Sequence, residues 1–435
     1  MIVSLLLTMI NNVADAMWVS GLGSDALAAI GIVTPIFIII IGLGIGISAG
    51  VNSSVARFIG KGDLKQAGNS GVHGLIISII ISIIIPVILL VFLKQILIAI
   101  GGASVLDLAY DYGFWIIIGA FSVIVQYVFS GVYRSENKGI KSNFPLALAA
   151  ILNICLDPIF IYTFNMGVAG AAIATVLSNI ISLMLFIYWR YIKGGELLDL
   201  NTYNKNMSIY KDIISVGVPA SMEQILMSLF SMIINVILVM VATTEAVAVY
   251  TTVWRLISIG VMIPVGFGTG SISIFGALFG ARKSETILES FKFTQIIGFV
   301  GSVLMAIILA IFSPLLALLF GGAGLNDQII SITVLLSLYV VFSSWSIVSG
   351  CILQSFGRGD YSLYFTFFKQ IILTLIFIFL FIGLKETGVY YGIIAANFVG
   401  GVIEIIFTYI YVKRIQKYYK WCYLILFYII FCIFL

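Results

Sequence analysis

Residues 73–93 read HGLIISIIISIIIPVILLVFL, a run of 21 positions without one acidic, lysine or arginine side chain. In hydrocarbon every backbone N–H and C=O must be satisfied within the segment, which leaves helices of about 20 apolar residues or closed β-barrels. A barrel would alternate apolar and polar residues over strands of about 10. Continuous runs recur here instead, and 62% of the 435 residues are hydrophobic while 9% are charged. The chain therefore reads as an all-α polytopic membrane protein. Its apolar runs predict twelve transmembrane helices, at 1–20, 26–52, 72–100, 109–133, 143–163, 167–190, 212–239, 245–270, 289–320, 328–354, 362–383 and 388–412.

The connections sort by charge. Those after the even-numbered spans, with the C-terminal tail, hold Arg57, Lys61, Lys65, Arg134, Lys138, Lys141, Arg190, Lys205, Arg282, Lys283 and Arg358, whereas the opposite side has little beyond Lys94 and Lys385. The positive-inside rule then places both termini in the cytoplasm of a cell in whose plasma membrane the chain sits. The net charge of +4 is this orientation signal, so the lipid bilayer and small molecules are the expected partners, with no nucleic acid, and a monomer is expected. Met1 leads straight into apolar residues without a basic stretch, so no cleavable signal peptide is expected. Cys155, Cys351, Cys422 and Cys432 stand at no metal-ligand spacing and read as free thiols.

The chain also repeats itself at an offset of 220 residues. Asp25, Ala26 and Ala28 match Glu245, Ala246 and Ala248; Gly46, Gly50, Ser53 and Gly60 match Gly266, Gly270, Ser273 and Gly280; Ser135, Lys138 and Gly139 match Ser355, Arg358 and Gly359. Each repeat holds six spans, so both enter the membrane in the same direction and are related by a pseudo-twofold along the membrane normal, the arrangement of alternating-access transporters. The predicted organisation is an N-terminal six-helix lobe at 1–191, a cytoplasmic linker at 192–210, a C-terminal six-helix lobe at 211–414 and a tail at 415–435. The linker reads as a polar tether between moving lobes. The tail segment CYLILFYIIFCIFL is too short for an ordinary crossing and reads as interfacial or frayed. The second repeat begins with Lys211, Asp212 and Pro219, which have no counterparts after Met1. Either the first helix is short or the natural chain starts upstream.

Inside this apolar frame a few polar residues stand out. Asn153 and Asp157 in ILNICLDPIF are four apart and share a helix face. Pro158 removes a donor and crowds the carbonyl of Ile154, predicting a kink. Asp15 is a second carboxylate at membrane depth, and Thr175 adds a hydroxyl. Intramembrane carboxylates cost about 2.5–3.5 kcal/mol each on insertion scales and mark ion paths. Two of them together raise each other's proton affinity or share a cation with neutral oxygens; a structural cluster tying helices together is the plainer alternative. At offset 220 Asp15 meets Asn235, and no acid stands near 377.

ADAMWVSGLGSDALAAIGI followed in order by ARFIGKGD, YRSENKG, LNICLDPIF and GVAGAAIATVLSN resembles the multidrug and toxic compound extrusion (MATE) family over essentially all of 1–415, and within it the DinF-related branch that includes archaeal members. The resemblance implies two six-helix lobes and an antiporter that exports organic, lipophilic or cationic compounds in exchange for Na⁺ or H⁺. It implies no cofactor beyond that ion. It assigns Asp15, Asn153, Asp157 and Thr175 to a coupling site for H⁺ or Na⁺. The start lacks the usual proline of the first helix, and YRSENKG departs from the family's commoner glycine-containing turn.

The second repeat carries Glu223, Arg255, Lys369 and Glu404 at membrane depth, as lining of a C-lobe cavity or as internal ion pairs. His73 reads as an interfacial residue, and Met227, Met232 and Phe342 as soft lining for varied ligands or as lipid-facing packing. One histidine and no clustered catalytic motif leave nothing to carry enzyme chemistry. A lipid or oligosaccharide flippase of the same superfamily is the alternative; it would favour a cationic cavity, and here the acids lie in the N-terminal lobe.

Overall fold

In a computed structural model the chain is all-helical. The described residues are 2–191, 197–198, 200–242, 244–320 and 326–434, leaving aside the side chains of 2–6, 8–9, 12–13, 244–245, 319–320 and 418–434, so that Cys422, Cys432 and part of the linker fall outside. The helices are α1 (Ile2–Ser20), α2 (Ser24–Gly60), α3 (Leu64–Ala99), α4 (Leu106–Ser135), α5 (Gly139–Pro158), α6 (Gly167–Tyr191), α7 (Met207–Val241), α8 (Thr244–Gly280), α9 (Ser284–Phe320), α10 (Asn326–Ser355), α11 (Gly359–Phe367), α12 (Thr374–Phe381) and α13 (Glu386–Phe434). Among the described residues, eleven stretches are long and apolar enough to cross a membrane, with α11 and α12 forming one of them. α1 adds a helix of 19 residues, close to the ~20 a crossing needs.

Most helices outrun their apolar segments. α3 starts at Leu64 and α9 at Ser284, where the sequence predicts starts at 72 and 289, because apolar content reports only the part within hydrocarbon while the helix continues into its polar ends. The C-terminal segment is neither separate nor irregular, since α13 runs through it to Phe434.

The repeat is written in the backbone as well as in the side chains. Three positions have left-handed φ in both halves at the offset of 220: Gly62 (78°) and Arg282 (55°), Asn137 (58°) and Gly357 (80°), and Asn165 (53°) and Lys385 (54°). The hydrogen bonds that close these turns also repeat. Gly62 N–H donates to Ile59 O and Asp63 N–H to Phe58 O, as Arg282 does to Phe279 O and Lys283 to Leu278 O. These are helix C-terminal caps, which satisfy carbonyls that a helix end leaves open.

Contacts divide the chain into two units. One comprises 1–55 and 64–225; the other comprises 56–63 and 226–435. In the first, α4 packs on α3 and α6, and α1 on α5, and one core cluster joins Val19, Ala26, Ile161, Val168 and Ala171. Here α2 approaches α7 so closely that a Cβ at Gly50 would lie 2.3 Å from Ile213 O. In the second, α10 is central, against α8, α9 and α13, and the Tyr250 and Tyr390 rings stack at 6.3 Å within its largest described core cluster. Gly60 and Gly280, partners in the repeat, answer one another there: a Cβ on the first would meet Ala277 O at 2.0 Å, and on the second Arg57 O at 2.0 Å. By contrast, a Cβ at Gly270 would meet nothing within 4 Å.

The linker is not the free tether that its polarity suggests. Leu197 and Leu198 are buried, residues 200–202 form a 3₁₀ turn, and the segment rests on α3.

Candidate functional site: a buried cluster of carboxylates and amides

Asn11 and Asp15 are one helical turn apart on α1, as Asn153 and Asp157 are on α5, so each helix presents an amide and a carboxylate on one face. The two faces meet. Asn11 Nδ2 donates to Asp15 Oδ2 at 3.2 Å and to Asn153 Oδ1 at 2.9 Å, and Asn153 Nδ2 donates to Asp157 Oδ1 at 2.8 Å. Thr175 on α6 reaches Asn153 Oδ1 at 3.4 Å while bonding the carbonyl of Ala171 at 3.1 Å. All four residues that the sequence singled out in the first half are therefore brought together, from three helices.

Asp157 is 1% exposed and Asn153 3%. Asp15 and Asp157 face one another closely enough to share a hydrogen bond once one of them carries a proton. Asp15 Oδ1, Asp157 Oδ2 and Asn11 Oδ1 are buried without a donor. Three unpartnered acceptor oxygens suit either a proton held between the carboxylates or a small hard cation, which takes oxygen ligands; buried acceptors left unmatched would otherwise cost about 1–3 kcal/mol each. Tyr112 on α4 lies within electrostatic reach of both carboxylates.

The local backbone sets this up. α5 does not break at Pro158; it passes into a π turn at Ile159–Thr163, closed by Phe164 N–H on Ile159 O at 2.9 Å. Such wide turns arise where the ordinary ladder is interrupted, and often at functional sites. Gly170 lets α6 lie against this turn, since a Cβ would come within 2.6 Å of Phe160 O. Tyr162 donates its hydroxyl to Trp18 O, tying the end of α1 to the same turn.

In the second half the structure joins Lys369 and Glu404 into one network. Lys369 Nζ donates to Ser346 Oγ at 2.7 Å, and Ser346 donates to Glu404 Oε2. Both charged residues are at most 5% exposed. A second π turn, Phe368–Leu373, carries Lys369. Glu223 lies partly buried on α7, and Arg255 is exposed on α8.

The MatE family profile matches residues 1–159 and 219–380, more than half of the chain. The chain belongs to the MatE family. Among its relatives, the FAD transporter of Shewanella oneidensis is 29% identical over 71% of this chain and 70% of its own length. The multidrug export protein MepA of Staphylococcus aureus is 25% identical over 66% of this chain and 64% of its own. A crystal structure of MATE in the straight conformation superposes with a TM-score of 0.93 at 30% identity, covering 96% of this chain and 95% of that one. A MOP superfamily transporter from Pyrococcus furiosus, described by a reverse polarity of its binding pocket that suggests a different function, gives 0.91 at 30% identity over 95% and 94%.

This MatE protein is thus a non-enzymatic, multi-pass membrane transporter. Its cluster holds one residue that sequence reasoning passed over. Asn11 donates one bond within α1, to Asp15, and one across to Asn153 of α5, and the signal was its spacing of four from Asp15, the same pattern as Asn153 and Asp157.

Proposed function

We propose that this MatE protein is a secondary active efflux transporter, of the DinF-related branch, that exports organic, lipophilic or cationic compounds by alternating access in exchange for H⁺ or Na⁺. Asp15, Asn153, Asp157 and Thr175, with Asn11, bind the coupling ion; Lys369 and Glu404, with Glu223 and Arg255, contribute to a substrate cavity of the C-terminal lobe. The lobes are 1–191 and 211–414, and the basic connections face the cytoplasm with both termini.

The observation that carries this reading is the pair of facing carboxylates with acceptor oxygens left unmatched. A ligand shifts an equilibrium between two conformations only by its different affinity for each. A proton or cation shared by oxygens from α1, α5 and α6 supplies such a difference, because any relative displacement of these helices changes how many oxygens it has. Asn11 and Thr175 hold the carbonyl oxygen of Asn153 in place, and Asn153 in turn orients Asp157. The test is transport of a dye panel and of FAD in proteoliposomes under separately imposed Na⁺ and H⁺ gradients. Efflux driven by neither gradient overturns the reading; efflux by one alone names the ion.

A further inference from the structure

The only histidine of the chain is enclosed by protein. His73 on α3 is 0% exposed, and its two nitrogens have opposite roles. Nδ1 lies 2.8 Å from Asn69 O, a carbonyl that can only accept, so Nδ1 carries the hydrogen. Nε2 lies 3.1 Å from the backbone N–H of Asn206, which can only donate, so Nε2 must be bare. One neutral tautomer fits the site and the imidazolium does not.

What His73 holds is the segment between the two repeats. One turn earlier on α3, Asn69 clasps the same segment: its Nδ2 donates to Asn204 O at 3.0 Å and its Oδ1 accepts from Asn204 N–H at 3.0 Å. Asn206, the residue held by His73, is itself the N-cap of α7, with Oδ1 accepting from Ser208 N–H at 3.0 Å. The imidazole is enclosed by Tyr203 of the linker and Tyr210 of α7, with ring centroids at 5.2 and 4.4 Å, and their hydroxyls meet at 3.4 Å. These tyrosines are the titratable groups in contact with the ring. Among the described residues no carboxylate bonds to it and no cationic side chain touches it.

We propose that His73 is a proton-binding switch that locks the inter-repeat linker and the first turn of α7 onto α3, and releases them when its Nε2 is protonated. A proton on Nε2 points at the N–H of Asn206 and puts a buried charge beside no counter-ion. Undocking relieves both at once, because the ring then reaches water. With one proton involved, the undocked-to-docked ratio rises about tenfold per pH unit below the range where a free imidazole titrates. On the proposed topology this end of α3 is cytoplasmic, so the switch reads the compartment that a proton-driven exporter acidifies and turns transport down there.

The experiment places a nitroxide on Lys205→Cys, an exposed position between the clasped residues, in a chain whose four native cysteines are serine, and records its mobility in detergent from about pH 8 to about pH 5. The expected result is an immobilised label that becomes mobile along a one-proton curve. In H73Q, whose Oε1 can accept from Asn206 but does not titrate, it stays immobilised throughout; in N206P, which lacks the donor, it is mobile throughout. A constant wild-type line shape, or a transition that survives in H73Q or N206P, overturns the proposal. Mobility needs neither substrate nor gradient, so its failure leaves the efflux reading standing, and failure of the efflux assay leaves this one. Ethidium efflux that declines in wild type but not in H73Q as the linker-side pH falls is the expected functional counterpart.

Discussion

In the first unit Asp15 and Asp157 face each other and, among the described residues, no basic side chain bonds to either, whereas in the second Glu404 is joined to Lys369 through Ser346. Both clusters are buried and each has a π turn beside it, yet the turns are not repeat partners: 159–163 maps to 379–383, while the observed turn is 368–373. A cluster whose charges cancel internally is stable in one form and has little to gain from a solute ion. A cluster of acceptors without donors is finished only by something that arrives. The duplicated framework thus separates a compensated site from an uncompensated one.

The sharpest way to break this comparison is charge removal on each side. Asp157→Asn or Asp15→Asn is expected to abolish gradient-driven dye efflux while keeping the thermal midpoint, because the amide retains the shape and lowers the desolvation cost; normal pumping would end the coupling assignment, and failure to fold would make the cluster structural. Lys369→Met is expected to lower the thermal midpoint instead, costing about 3–5 kcal/mol by leaving Glu404 buried without its cation. The double variant K369M/E404Q should recover most of that loss in thermal unfolding, and if it does not, the two charges are not a unit. Removing the donor with Asn11→Ala should cost about 1–3 kcal/mol and lower coupled transport without abolishing it, since the acceptors of Asp15 and Asn153 lose their bonds. The smallest effects contrast two repeat-related glycines. Gly50→Ala drives a methyl into Ile213 O and should cost about 1–3 kcal/mol, whereas Gly270→Ala meets open space and should be neutral or stabilise by up to about 1 kcal/mol through helix propensity.

Much of this was legible in the sequence, for stated reasons. Helix number follows from apolar length, and the repeat follows from small and turn residues that the backbone cannot exchange freely. Asp15, Asn153, Asp157 and Thr175 were legible because a polar group at membrane depth needs partners. The docking of the linker was not, because Asn69, His73, Asn204 and Asn206 are ordinary polar residues until α3 sets their backbone and side-chain groups opposite one another. The π turns were equally hidden. Pro158 announces an interruption without saying whether the helix bends, breaks or widens, and nothing in FKQIIL announces one at all. Glu223 and Arg255 show the same limit, since depth in the membrane does not tell which face of a helix a charge occupies.

The paired left-handed turns have a use outside transport. Arg282 and Asn137 hold a positive φ, which in the left-handed helical region costs an L-residue about 1–2 kcal/mol, and for both the other half of the same gene product already contains the remedy, glycine at 62 and at 357. Each repeat is therefore a homologous template for the other. Consensus engineering, ordinarily a comparison across many species, can here be done within a single chain: Arg282→Gly and Asn137→Gly import solutions that have already been tested in the matching fold, at sites far from either polar cluster in sequence.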